Sequence, residues 1–176
     1  VPPAAKAGRY TGTYRATATG KPAVEIPVEL TVWDFTLPET PTLQTALGSP
    51  AERMRGYYRK RASAGKEQEP ADWDSVEAQC AALLAEHRVN ATPPTGLLTP
   101  IPQADGSFAI PKESVDRLRE FLDRYHVNAV QTPHPSSAVK DPEADSVRLR
   151  AWLAAFDRMA AELQRPHVVF FTYLKD

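Results

Sequence analysis

The sequence predicts an α/β fold: the first half of a TIM-like (β/α)8 barrel, preceded by the terminal β hairpin of a β-sandwich domain. Three observations carry this. The first 35 or so residues alternate with period two around a Gly-Pro turn. Three later segments each run an amphipathic helix into a short β-branched strand, and helix and strand alternating in this way mean βα units and a parallel sheet. Two of those units repeat: Val89-Asn90-Ala91 and Val127-Asn128-Ala129 stand 38 residues apart, and Val168 follows at a similar distance. Residues 1–38 are expected to form the hairpin and 39–176 the barrel half. A four-stranded piece of an open sheet fits the same pattern.

Taken in order, Tyr10, Gly12, Tyr14 and Ala16 alternate with Thr11, Thr13, Arg15 and Thr17. After Thr19-Gly20-Lys21-Pro22, the residues Val24, Ile26, Val28, Leu30 and Val32 fall on one face, with Glu25, Pro27, Glu29, Thr31 and Trp33 on the other. Pro27 has no N–H for a ladder, so the second strand is predicted to lie at an edge or to bulge. Two strands alone are marginal in water, so the hairpin reads as the end of a larger sandwich. Thr42 to Leu47 is a short strand candidate. Ser49-Pro50-Ala51-Glu52 matches a capping box with proline at the first helical position, opening a charged, peripheral helix to about Ser63.

A second helix is predicted to begin at Asp74-Ser75-Val76-Glu77, with Val76, Cys80, Leu83, Leu84 and His87 as its apolar stripe. The third spans about Lys112 to Tyr125 and buries Val115, Leu118, Phe121, Leu122 and Tyr125. The fourth spans about Glu143 to Gln164 and buries Leu149, Trp152, Leu153, Phe156, Met159, Ala160 and Leu163. The strands that follow are His87 to Pro93, His126 to Pro133 and His167 to Thr172. Seventeen prolines fall mostly between these segments, which suits many short connections.

Composition excludes several function classes. With 42% hydrophobic and 24% charged residues and a net charge of −1, the chain has no basic field for nucleic acid and no polybasic face for a membrane. No apolar run approaches the roughly 18 residues that span a bilayer. Cys80 is the only cysteine, so no intramolecular disulfide exists. There is no HxxxH, HExxH or CxxC spacing and no Gly-rich phosphate loop, so neither a metal site nor a cofactor is expected. Val1-Pro2-Pro3 and the charged end of the last strand read as cuts through a larger protein. That reading predicts exposed apolar surface on the hairpin and on the last strand, and no activity from the chain alone.

In a parallel α/β fold, functional groups gather at the carboxyl ends of the strands. Those ends supply Gln131 and His134, the latter among prolines that stiffen its loop, and Tyr173, Lys175 and Asp176. For His134 the other reading is a solvent-facing loop residue; for Lys175 and Asp176 it is a salt-bridged rim. His87, His126 and His167 sit at the opposite end and read as turn or capping residues. Asn90-Ala91-Thr92 is formally a glycosylation acceptor, but it falls in a predicted buried strand. Asn90 and Asn128 hold equivalent repeat positions, which points to hydrogen bonding with neighbouring backbone.

Two stretches carry a family resemblance. Val28-Glu29-Leu30-Thr31-Val32-Trp33-Asp34-Phe35-Thr36-Leu37-Pro38, with Thr42-Leu43-Gln44-Thr45-Ala46-Leu47-Gly48 after it, resembles the junction between β-sandwich and catalytic barrel in glycoside hydrolase family 123-like proteins of bacteria. Phe171-Thr172-Tyr173-Leu174-Lys175-Asp176 is similar to the aromatic-rich fourth barrel strand of that group, which leads to an Asp-Glu pair. The resemblance implies a retaining, substrate-assisted β-N-acetylhexosaminidase acting on an N-acetylated hexosaminide and located outside the cytoplasm. In that scheme the sugar's own acetamido carbonyl attacks the anomeric carbon, an exception to the two-carboxylate mechanism. Asp176 matches the carboxylate that orients the acetamido group; the family's proton donor stands one residue beyond it. Gln131, His134, Tyr173 and Lys175 would line the sugar. The alternative is a carbohydrate-binding or structural barrel module without chemistry.

Overall fold

The computed structural model describes residues 1–2, 4–66, 68–141 and 144–173. The described chain is mixed α/β, with four α-helices and three two-stranded sheets. It divides into two compact units, Val1–Pro38 and Glu39–Asp176.

The first unit is an antiparallel hairpin of β1 (Gly8–Ala16) and β2 (Val24–Val32), in one-to-one register from Gly8 opposite Val32 to Ala16 opposite Val24. Gly20, at φ +71°, makes the tight turn between them that side chains resist. Pro27 pairs with Thr13 without a bulge, because a strand that has only one neighbour needs few of its N–H groups. Facing residues in such a pair share a side of the sheet. Tyr10, Gly12 and Tyr14 therefore share a wholly apolar face with Leu30, Val28 and Ile26, while Arg9 pairs with Glu29 on the other side. Ile26, Val28 and Leu30 remain exposed at 45–47%.

In the second unit, α1 (Pro50–Ser63) starts where the sequence indicates, with the Ser49 hydroxyl accepting from the Glu52 N–H at 3.2 Å. The helix α2 (Trp73–Glu86) starts earlier than predicted. Asp72 rather than Asp74 is its cap, its carboxylate accepting from the Ser75 N–H at 3.0 Å. Leu83, placed in the buried stripe by periodicity, is 58% exposed. A turn of 3₁₀ helix (Thr95–Leu98) buries Leu97 and Leu98, and a small hairpin follows, β3 (Ile101–Pro102) with β4 (Phe108–Ala109). Neither was expected. The hairpin turns at Asp105-Gly106 with Gly106 at φ +83°, and it delivers Phe108 to the core.

The helix α3 (Lys112–Arg124) lies as predicted and buries Val115, Leu118 and Leu122. The helix α4 (Ser146–Leu163) begins after Asp145, whose carboxylate caps the Arg148 N–H at 3.1 Å; the predicted start, Glu143, lies outside the described residues. It buries Trp152, Phe156, Met159 and Leu163, with the Trp152 and Phe156 rings 4.7 Å apart, while Leu153 points away from the core at 41% exposure. Between and after these helices, β5 (Ala129–Gln131) and β6 (Val169–Phe171) form the one regular parallel ladder among the described residues. Val169 N–H to the Asn128 carbonyl (3.0 Å) and Thr132 N–H to the Phe171 carbonyl (2.8 Å) lengthen it at both ends.

The expected strands at Thr42–Leu47 and at His87–Pro93 do not form. Their place in the order is nevertheless kept by side chains. Asn90 Nδ2 donates to the Thr45 carbonyl (3.1 Å) and to Asn128 Oδ1 (2.8 Å), and Asn90 Oδ1 accepts from the Asn128 N–H (3.0 Å). The Asn90 N–H itself goes to the Thr45 hydroxyl at 2.8 Å, and Asn128 Nδ2 reaches the Pro41 carbonyl. Amide side chains thus occupy carbonyls that a neighbouring backbone would take in a ladder, and the β5–β6 ladder does not continue across these segments. The four segments at 41–45, 89–91, 127–131 and 168–171 are linked in sequence order by these bonds and by the β5–β6 ladder.

Both asparagines are 5% exposed. A buried amide must find partners, and here each does. The glycosylation pattern at Asn90 is accordingly spent on this internal network.

Candidate functional site

The helix-to-strand turns fix one end of the unit. Arg88 and His126 adopt left-handed φ values of 59° and 52° just past α2 and α3. The next N–H groups, of Val89 and Val127, return to the Leu84 and Leu122 carbonyls at 2.9 and 3.0 Å. This is the Schellman closure, repeated. His87 Nδ1 lies 2.9 Å from the Leu83 carbonyl and also serves its helix end. These histidines are turn residues, at the end opposite the predicted site.

At the carboxyl ends, Gln131 closes β5 and stays exposed. Thr132 is buried, its hydroxyl 3.2 Å from the Phe171 carbonyl. His134 caps a turn of 3₁₀ helix (Pro135–Ser137), with Nδ1 accepting from the Ser136 N–H at 3.1 Å and 2.7 Å from the Ser136 hydroxyl. Nδ1 is therefore an acceptor, and in the neutral ring the proton sits on Nε2. Tyr173 is 56% exposed, with its ring edge-on to Phe171 at 5.8 Å. The Thr132–Phe171 bonds hold the strand ends together, so Gln131, the His134 loop and Tyr173 share one end of the sheet. Lys175 and Asp176 lie outside the described residues.

The crevice at that end has a volume of about 10 Å³ and is lined by Thr45, Gly48, Thr92, Gln131 and Phe171, among others. That is room for about one water molecule. A second, far larger cleft of about 470 Å³ lies between α1, α2 and α3 and reaches the Thr92–Gly96 loop. Periodicity did not reveal it, because Cys80, Leu84, Phe121 and Tyr125 among its walls read as core-facing stripe residues, and Glu52, Asp74 and Glu77 as helix caps. Arg55 pairs with Glu77 at 2.6 Å, and the Thr95 hydroxyl donates to Glu52 at 2.7 Å. Glu52 was expected to complete the capping box of α1 and instead ties that helix to the loop.

Carboxylates held below their usual range lie elsewhere. Asp116 is lowered by hydrogen bonds from Lys112 and Arg119, Asp123 by Arg165, and Asp105 by Ser107. Among the described residues, no cluster of three or more His, Cys, Asp or Glu side chains is placed to hold a metal ion, and no helix is long and apolar enough to cross a membrane. No family model, curated protein or solved structure matches this chain.

Proposed function

We propose that this chain is part of a carbohydrate-active α/β protein, a retaining, substrate-assisted β-N-acetylhexosaminidase whose barrel begins with the four segments linked here. The observation that supports the barrel part of this reading is the order of those segments; the sugar chemistry rests on the resemblance of Val28–Gly48 and of Phe171–Asp176 in sequence. Residues 41–45, 89–91, 127–131 and 168–171 follow one another side by side, with helices between them, as the first strands of a (β/α)8 barrel do. Exposed apolar side chains on the outer segments, Leu43 at 72% and Val169 at 43%, fit a sheet that continues beyond them.

In this reading the acetamido oxygen of the substrate forms a bond to the anomeric carbon as the leaving oxygen departs with a proton from the family's acid. Positive charge develops on the oxazolinium ring, and the Asp176 carboxylate stabilises it. The adjoining acid must keep its proton near neutral pH, and a nearby carboxylate raises its pKa in the required direction. Gln131, His134, Tyr173 and Lys175 would place the sugar.

One observation favours the second reading, a binding or structural module without chemistry: the crevice at the strand ends admits no sugar ring. The test is Asp176→Asn in the full-length gene product, assayed with an aryl N-acetyl-β-hexosaminide. The hydrolase reading predicts a fall of about 10²–10⁴-fold in kcat, the range for losing a group that acts in the transition state. Full activity of the variant removes Asp176 from the mechanism. Sugar binding without turnover by the wild type selects the module.

A further inference from the structure

We propose that the cleft between α1, α2 and α3 is a binding site for a neutral, polyhydroxylated ring, a monosaccharide unit, adjoining the strand ends but distinct from them. At about 470 Å³ it falls in the range of small-ligand sites, whereas the crevice at the strand ends does not. The inference does not rest on the catalytic reading.

The chemistry of the walls selects the ligand. Ala81, Leu84, Phe121 and Tyr125 give one apolar side, suited to the C–H face of a ring. The rim carries Glu52, Asp74 and Glu77 against Arg55 and Arg117. Strongly anionic ligands meet three carboxylates, and cationic ones meet two guanidiniums. A neutral ring with adjacent hydroxyls can donate to the carboxylates and accept from a guanidinium at the same time.

Two of the carboxylates are already held in position. Glu77 is fixed by Arg55, and Glu52 by Thr95, each through one oxygen, so the second oxygen of each remains an acceptor. Arg117 forms no hydrogen bond or ion pair with the described residues and is exposed at the rim. Acceptors fixed before binding lose little entropy when a ligand arrives.

The test is a titration of isotopically labelled protein, followed by backbone amide shifts, with glucose and N-acetylglucosamine as probes and inorganic phosphate and spermidine as charged comparators. The expected result is saturable, roughly millimolar binding of a sugar, read at Ala78, Thr95 and Gly96, and weaker responses to both comparators. Arg117→Ala should weaken that binding about tenfold, the effect of one charge-assisted hydrogen bond, with its melting temperature unchanged. Ala78→Trp should abolish binding by filling the cleft.

No saturable shift from either sugar overturns the proposal. So does tighter binding of phosphate or spermidine, or an affinity unchanged in Arg117→Ala, which also decides the matter should Ala78→Trp fail to fold. Shifts confined to Gln131 and His134 would move sugar binding to the strand ends and overturn the cleft alone.

Discussion

Replacing Asn90 by alanine removes three hydrogen bonds at once, those to the Thr45 carbonyl, to Asn128 Oδ1 and from the Asn128 N–H. At about 1 kcal/mol net for each, the direct loss is about 3 kcal/mol. The Asn128 N–H is then left in a buried site with no partner, a further cost of about 1–3 kcal/mol. Partial relaxation reduces the sum, and about 4 kcal/mol is expected. That is a large share of the ~5–15 kcal/mol that holds a domain folded. With a urea m-value of about 2 kcal/mol/M, the midpoint should fall by about 2 M.

Asn90→Asp separates hydrogen bonding from volume. It keeps the shape and the acceptor for the Asn128 N–H, but places a carboxylate oxygen where Nδ2 stood, against the Thr45 carbonyl and Asn128 Oδ1. At pH 7 it should be at least as destabilised as the alanine variant. Burial against acceptors raises the folded pKa of the new carboxyl group above its unfolded value of about 3.9. Its stability is therefore best below that unfolded value and is lost as pH rises through the folded pKa. Urea unfolding monitored by tryptophan fluorescence at pH 7 and pH 4 measures both effects. A loss below about 0.5 kcal/mol in Asn90→Ala, or an Asp variant as stable as wild type at pH 7, would refute the bridging role.

Other consequences follow from single contacts. Trp152→Ala should cost about 3–5 kcal/mol by chemical denaturation, because its side chain is fully buried among core residues. Leu153→Glu, one residue along and 41% exposed, should change stability by less than about 0.5 kcal/mol in the same assay. His126→Gly should stabilise by about 0.5–1 kcal/mol, because glycine takes the left-handed conformation without the side-chain penalty. Asp123, lowered by its hydrogen bonds from Arg165, contributes stability above its unfolded pKa that is lost as pH falls through the depressed folded value. The small difference in melting temperature between wild type and Asp123→Asn should therefore be present at pH 6 and disappear near pH 2.

The helices were legible because burial on one face leaves a period that survives in the sequence. Val115, Leu118 and Leu122 of α3, and Trp152, Phe156, Met159 and Leu163 of α4, repeat at helical spacing and form the core. Helix starts were less legible where two acids compete. Asp72 and Asp74 both precede the apolar run, and it is the Asp72 carboxylate that accepts from the Ser75 N–H and caps the helix. The equivalence of Asn90 and Asn128 was readable from the repeat, and so was its structural meaning. What could not be read was that these side chains would stand in for strand backbone at 41–45 and 89–91, since composition and alternation say nothing about which group takes a carbonyl.

The hairpin at Ile101–Ala109 carried a visible Asp-Gly signal, but its strands are only two residues each, below the length at which alternation registers. That Gln131, His134 and Tyr173 follow the carboxyl ends of β5 and β6 was legible, because the parallel pairing of Gln131 with Phe171 sets those ends side by side. The cleft was not, because it is built from side chains on three helices whose relative placement no local pattern encodes.

The functional claim is tested most directly by pairing two aryl substrates that differ only at carbon 2, an N-acetyl-β-glucosaminide and a β-glucoside, with the full-length gene product and with the 176-residue chain alone. Substrate assistance requires the acetamido group, so the account predicts turnover of the first substrate only, and by the full-length product only. Equal hydrolysis of both substrates, or turnover by the 176-residue chain comparable with that of the full-length product, would contradict it.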